Sequence, residues 1–166
     1  MAELKGEIRD CTQADYPALL RLNLESVHFL SPLTRERLAT LHAASWYCRA
    51  LVVGPEVLGF LLAFKEGVDY DSPNYRWFAA RYPEFLYIDR VVVDTEARGQ
   101  RIGWRLYEDL FARARARGFK RITCEFDIEP PNEASRRFHE RFGFHEVGTQ
   151  RVAGGKKAVS LQEVLL

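Results

Sequence analysis

Apolar positions in this chain change period several times, and the changes mark out alternating strands and helices. Phe85-Leu86-Tyr87-Ile88 and Val91-Val92-Val93 form an aromatic and β-branched run, interrupted only by Asp89 and Arg90, that suits a buried strand. Asp94-Thr95-Glu96-Ala97 ends it. Beyond Arg98-Gly99-Gln100-Arg101-Ile102-Gly103, the residues Gly103, Leu106, Tyr107, Leu110, Phe111 and Ala114 recur three and four apart. That is one face of a helix, which Gly118 is placed to close.

The same reading covers the rest of the chain. Residues 8–11 suit a short edge strand, followed by a helix capped at Thr12 or Asp15 with Ala18, Leu19, Leu22 and Val27 on its apolar side. Ser31-Pro32 breaks that helix, and Thr34 opens another ending near Ala44. Segments 46–53 and 57–65 flank Gly54-Pro55-Glu56 as an antiparallel hairpin, apolar on both faces, which predicts helices above and below the sheet. From 66 to 82 the composition turns polar and aromatic, with a short helix expected over 74–81. A strand over 120–127 follows, and Pro130-Pro131 sets up a helix near Asn132 whose Ala134, Phe138 and Phe142 share a face. Segments 144–152 and 158–165 make a last strand pair. This order predicts a mixed sheet with helices on both faces, in one domain spanning 1–166.

Arg98, Arg101 and Arg105 cluster where free backbone N–H groups and the helix dipole already make a helix start electropositive. An anion held in the turn would answer that repulsion: glycine lets amides approach, and guanidinium groups pair with phosphate oxygens. The turn therefore reads as a pyrophosphate seat, with a solvated surface turn as the alternative. It is neither a P-loop, having no lysine followed by serine or threonine, nor a G-x-G-x-x-G turn.

Composition narrows the classes further. A net charge of +1 argues against a protein that lives on nucleic acid or an anionic membrane. No stretch approaches the run of about 20 apolar residues needed to span a bilayer, and the start of the chain lacks a signal peptide's apolar region, so the cytoplasm is the expected compartment. Cys11, Cys48 and Cys124 are odd in number and far apart, fitting neither a disulfide framework nor a zinc site, and no metal is expected. The long 66–82 segment suggests either a lid over an acceptor pocket, with Asp69 or Asp71 attracting a cationic amine, or a flap held down by its own aromatic residues. Ser26, His28 and Ser31 are further candidates near the end of the first helix, with a core or rim role for His28 as the alternative.

Two segments resemble the GNAT superfamily of N-acetyltransferases. The turn resembles that family's acetyl-CoA motif, Q/R-x-x-G-x-G/A, with Arg98 and Gly103 matching its ends and Arg101 standing where the middle glycine is usual. The run Asn132-Glu133-Ala134-Ser135-Arg136-Arg137-Phe138-His139-Glu140-Arg141-Phe142-Gly143-Phe144 resembles the later motif N-x-x-A-x-x-x-Y-x-x-x-G-F, with one residue of slack. Phe138 takes the place of a tyrosine thought to protonate the departing CoA thiolate, and a phenyl ring has no proton to give.

The resemblance implies an α/β (α+β) fold: a mixed, mostly antiparallel sheet of about seven strands, with helices on both faces and a splayed central parallel strand pair. It implies acetyl-CoA as cosubstrate and transfer of its acetyl group to a primary amine of a small molecule, an amino-acid-like compound or a peptide N-terminus. Val91, Val92 and Val93 would meet the pantetheine, while Arg98, Gly99, Gln100, Arg101, Ile102, Gly103 and Trp104 would hold the pyrophosphate. Asn132, Ser135 and Phe138 would line the later part of the cofactor site, and Arg136 lies beside them. For catalysis, Asp89 is the expected base and Tyr87 the expected proton donor, a salt bridge between Asp89 and Arg90 being the alternative. A domain that binds acyl-CoA without turnover, as a sensor or regulatory subunit, is the rival reading, and a homodimer is left open.

Overall fold

The computed structural model describes residues 4–26, 30 and 32–166. Their elements run β1 (Glu7–Asp10), α1 (Tyr16–Glu25), α2 (Arg35–Ala44), β2 (Tyr47–Val53), β3 (Glu56–Lys65), α3 (Pro73–Ala79), β4 (Leu86–Val93), α4 (Ile102–Arg117), β5 (Arg121–Glu129), α5 (Glu133–Arg141), β6 (His145–Val152) and β7 (Lys157–Leu165). Single 3₁₀ turns precede α1 and follow β4. The strands form one seven-stranded sheet in the order β1-β2-β3-β4-β5-β7-β6. β4 and β5 pair in parallel at Leu86↔Ile122 and Tyr87↔Thr123, whereas β1 with β2, β2 with β3, β5 with β7 and β6 with β7 pair antiparallel. This is the mixed sheet that the pattern predicts, and the mostly antiparallel sheet of about seven strands that the resemblance implies. Among the described residues, no helix is long and apolar enough to cross a membrane.

The residues group into two compact units, one comprising the chain up to 64 together with 89–113, the other 65–88 together with 114–166. In the first, Gly54 takes φ 57° to turn the β2–β3 hairpin, a conformation that glycine adopts without Cβ strain. Tyr47 and Arg49 of β2 both reach Asp109 of α4, at 2.8 and 2.9 Å. Cys48, pointing to the opposite face, lies near Tyr16 of α1. Helices therefore cover both faces of this part of the sheet. α4 buries Leu106, Tyr107 and Leu110 completely, and each such side chain contributes roughly 1.5–3 kcal/mol. It comes close to the sheet because Gly59 has no side chain: a Cβ there would sit 2.8 Å from Ile102 Cγ2 and 3.0 Å from the Val92 carbonyl oxygen.

In the second unit, α3 packs on one sheet face and α5 on the other. A Cβ on Gly148 of β6 would lie 2.5 Å from Trp77 Cζ2 of α3, and Gln150, on the same face, donates to Asn74 at 2.9 Å. His139 of α5 stacks on Phe126 of β5, whose side chain points the other way. The segment 66–82 is an anchored part of this core. Tyr75 and Phe78 are buried, ringed by Phe85 and Tyr87 at centroid distances of 5.3–6.3 Å. The Tyr75 hydroxyl donates to the Lys65 carbonyl at 2.7 Å and accepts from the Val68 amide at 3.1 Å. Of the two readings of this segment, the flap held down by its own aromatic residues matches these contacts. Asp69 and Asp71 are exposed.

Candidate active site

The first unit carries the arginine turn. Leaving β4, Asp94 caps the 3₁₀ turn by accepting from the Glu96 amide at 2.9 Å, and Ala97 is buried beneath it. Arg98, Gly99, Gln100 and Arg101 are all exposed, and Gly99 takes φ 83°. Arg101 takes φ 62°, a region that costs a side-chain-bearing residue roughly 1–2 kcal/mol. Its guanidinium lies 5.2 Å from the ring centroid of Trp104, whose indole N–H donates to Glu108 at 2.8 Å. Ile102 is buried over Gly59, and Gly103 follows half-buried in the first turn of α4. Arg105, expected with the other two arginines, is directed elsewhere: it donates to the carbonyl oxygens of Leu4 and Gly6 at 3.2 and 2.8 Å.

Immediately before the turn, Val92 is in the core while Val91 and Val93 are half-buried on the other face. The Arg90 Nε donates to Asp89 Oδ2 at 2.6 Å, and its Nη1 donates to Asn23 Oδ1 of α1 at 2.9 Å. This pairing carries the strand through two charged residues without a break, and it is the alternative foreseen for Asp89.

In the second unit, the Tyr87 hydroxyl lies 3.0 and 2.8 Å from the two carboxylate oxygens of Glu125. The parallel register opposes Tyr87 to Thr123, so Glu125, two residues further along β5, shares Tyr87's face. Asp127 is next on that face. Its Oδ2 is buried without a hydrogen bond, with the Lys157 Nζ 3.5 Å away, and burial pushes its carboxyl above the usual carboxylate range. Sequence reasoning passed over Glu125 because its only local signal, the alternation of β5, says nothing about register against β4.

At the start of α5, Asn132 Oδ1 accepts from the Ser135 amide at 3.2 Å, an N-cap. The Ser135 hydroxyl lies 3.2 Å from His139 Nδ1, which is also 2.7 Å from the Ser135 carbonyl oxygen. Burial pulls His139 down to about 4, so the imidazole is neutral at pH 7. Phe138 packs against His139 and Phe142, and Arg136 pairs with Glu133 and Glu140 at 2.7 Å each. Ser26 ends α1, while His28 and Ser31 lie outside the described residues. Among the described residues no group of three or more His, Cys, Asp or Glu is placed to hold a metal.

Residues 8–144 match the family model described as acetyltransferase (GNAT) family. The chain belongs to that family. It is 46% identical over 66 residues to a phosphinothricin N-acetyltransferase of Streptomyces coelicolor, an alignment covering 40% of this chain and 37% of that protein. The chain thus aligns with little more than a third of the length of this curated relative. Its fold is that of the crystal structure of Ard1 from Thermoplasma volcanium, with TM-score 0.80 at 17% identity over 98% of this chain and 99% of that one. A phosphinothricin acetyltransferase of the GNAT superfamily from Sinorhizobium meliloti, in complex with AcCoA, superimposes with TM-score 0.72 at 19% identity, covering 98% and 89% of the two chains. In this GNAT chain the structure thus places 89–104 as one continuous strand-turn-helix in the first unit, and Tyr87, Asn132, Ser135 and Phe138 in the second.

Proposed function

We propose that this protein transfers the acetyl group of acetyl-CoA to a primary amine of a small molecule, an amino-acid-like compound or a peptide N-terminus. The observation that carries the reading is the exposed turn Arg98-Gly99-Gln100-Arg101 leading into α4, with two residues at positive φ ahead of a helix N-terminus. Membership of an acetyltransferase family supports it, as does the fold shared with a protein crystallised with AcCoA. Arg98, Gln100, Arg101 and the first amides of α4 take the pyrophosphate, Trp104 flanks them, and Val91 and Val93 offer backbone groups to the pantetheine. Asn132 and Ser135 at the start of α5 are further candidates for contacting the cofactor.

Acetyl transfer needs a neutral amine, a donor for the developing oxyanion and a proton for the leaving thiolate. A backbone N–H near Val91 serves the oxyanion. Tyr87 supplies the proton that Phe138 cannot, and Glu125, already hydrogen-bonded to Tyr87, collects the proton that the amine loses. Starting from the neutral amine, the sum of these steps moves one proton from the attacking nitrogen to the thiol; an ammonium substrate first releases one further proton to solvent. Asp89 is the other base of the reading, with one carboxylate oxygen engaged by Arg90. Glu125 and Asp127 on one strand face add negative charge that favours a cationic acceptor.

Thermal unfolding with CoA and with acetyl-CoA tests the cofactor half, since ligand at 100 times its Kd adds about 2.7 kcal/mol. Thiol release across a panel of amines tests the transfer half. Stabilisation by acetyl-CoA without thiol release would favour the sensor reading, for which Phe138 speaks; no stabilisation would remove both.

A further inference from the structure

Two of the three cysteines, 11 and 48, face each other across β1 and β2. The ladder runs Glu7↔Val52, Ile8↔Leu51, Arg9↔Ala50, Asp10↔Arg49, so its next rung is Cys11 opposite Cys48. The Cys11 amide donates to the Cys48 carbonyl oxygen at 3.0 Å, which makes the rung a hydrogen-bonded one. Such a rung sets Cα atoms about 5.5 Å apart, inside the range a disulfide spans. Both residues are buried, at 5% and 7% exposed. Cys124 is buried on β5 of the other unit.

The backbone at Cys11 is held from both sides. Before it lies the ladder; after it, the Thr12 amide donates to Asp15 Oδ2 at 2.8 Å, and Arg9 binds the same carboxylate through two contacts of 2.7 and 2.9 Å. A bridge between two already positioned thiols sacrifices little further freedom in the folded state. In the unfolded chain it closes the loop over 12–47, which contains α1 and α2.

We propose that Cys11 and Cys48 are a modification site, closing to a reversible cross-strand disulfide when the protein meets a low-molecular-weight disulfide. The Cys11 thiolate attacks the oxidant, forming a mixed disulfide and expelling one thiolate. Cys48 then attacks the Cys11 sulfur and expels the second. Two protein thiols are oxidised, one small disulfide is reduced to two thiols, and the two protein protons pass to them. The neighbouring Cys48 and burial both push the Cys11 thiol up, so Cys11 reacts slowly in the folded state. β1 supplies the way in: it is a four-residue strand at the end of the sheet order, and fraying of that edge exposes Cys11. Once closed, the bridge pins the strand whose opening admitted the oxidant.

The test uses the full chain incubated with excess oxidised glutathione, then alkylated and digested with trypsin. Alkylatable thiols are expected to fall from three to one. A linked pair of peptides, 10–21 with 38–49, should appear and vanish with dithiothreitol, and the melting temperature should rise by roughly 5–15 °C. Three thiols still open to alkylation, stable glutathione adducts, or a bridge to Cys124 would each overturn the proposal. Cys48→Ser should abolish both the linked peptides and the melting shift. None of these readouts involves acetyl transfer.

Discussion

Arg90 Nε stands 2.6 Å from Asp89 Oδ2, with side chains only 3% and 5% exposed, and Arg90 reaches on to Asn23 of α1. Two adjacent charges thus neutralise each other inside a strand, and each is the other's replacement for water. Removing one leaves the other buried without its ion partner. Arg90→Ala should therefore destabilise the protein by about 3–5 kcal/mol in denaturant titration. Asp89→Asn should lower turnover while the Kd for CoA stays nearly unchanged; full turnover in a folded Asp89→Asn variant would take Asp89 out of the chemistry.

The arginine turn separates side-chain from backbone contributions. Arg98→Ala and Arg101→Ala are each expected to weaken CoA binding by roughly 10–100-fold in calorimetry, the value of one charge-assisted phosphate contact. Arg101→Gly should raise stability by about 1 kcal/mol, since glycine takes φ 62° without strain, and still lose affinity as the alanine variant does. Unchanged affinity in all three would move the pyrophosphate elsewhere.

Tyr87 and Glu125 form one hydrogen-bonded unit, so their variants should behave alike. Tyr87→Phe keeps the ring against Tyr75 and Phe78 and removes only the hydroxyl. It and Glu125→Gln should each reduce kcat by about 10²–10⁴-fold with little change in the KM for acetyl-CoA, and the double variant should be little worse than either. Additive losses in steady-state kinetics would mean that the two do not act together.

His139 gives a pH signature. Its folded value near 4 lies below the ordinary histidine value of 6.5, so the unfolded state takes up a proton first. Stability from this group is complete above pH 6.5 and is lost progressively as the pH falls to about 4, by roughly 3 kcal/mol in all. Urea denaturation of the wild type and His139→Gln across that window should show a difference in slope that vanishes above pH 7.

Much of the architecture was legible because local chemistry agreed with it. The Gly54-Pro55 turn, the amphipathic run from Leu106 to Ala114, and the caps at Thr34 and Asn132 all sit where residue type alone puts them. Three features depended on distant partners instead. Strand β4 carries Asp89 and Arg90 into the interior with Arg90 also reaching Asn23 of α1; β5 extends past Asp127 to Glu129 through a register shift against β7. The 66–82 segment looks like a surface loop in composition, yet Tyr75 and Phe78 are core residues supported from Phe85 and Tyr87. The site divides the same way. The arginine turn is contiguous and readable, although Arg105 is spent on the N-terminal carbonyls, whereas Glu125 becomes visible only once Tyr87 is known to face Thr123.

Gly59 lies against Ile102 and the Val92 carbonyl oxygen, and it sets the height at which the first turn of α4 rests on the sheet. A single methyl at that strand position would act as a shim, lifting the helix end and tilting the amides that face the turn. On the proposed function, affinity for a phosphate-bearing ligand would be adjustable from beneath, by a residue that such a ligand need never meet.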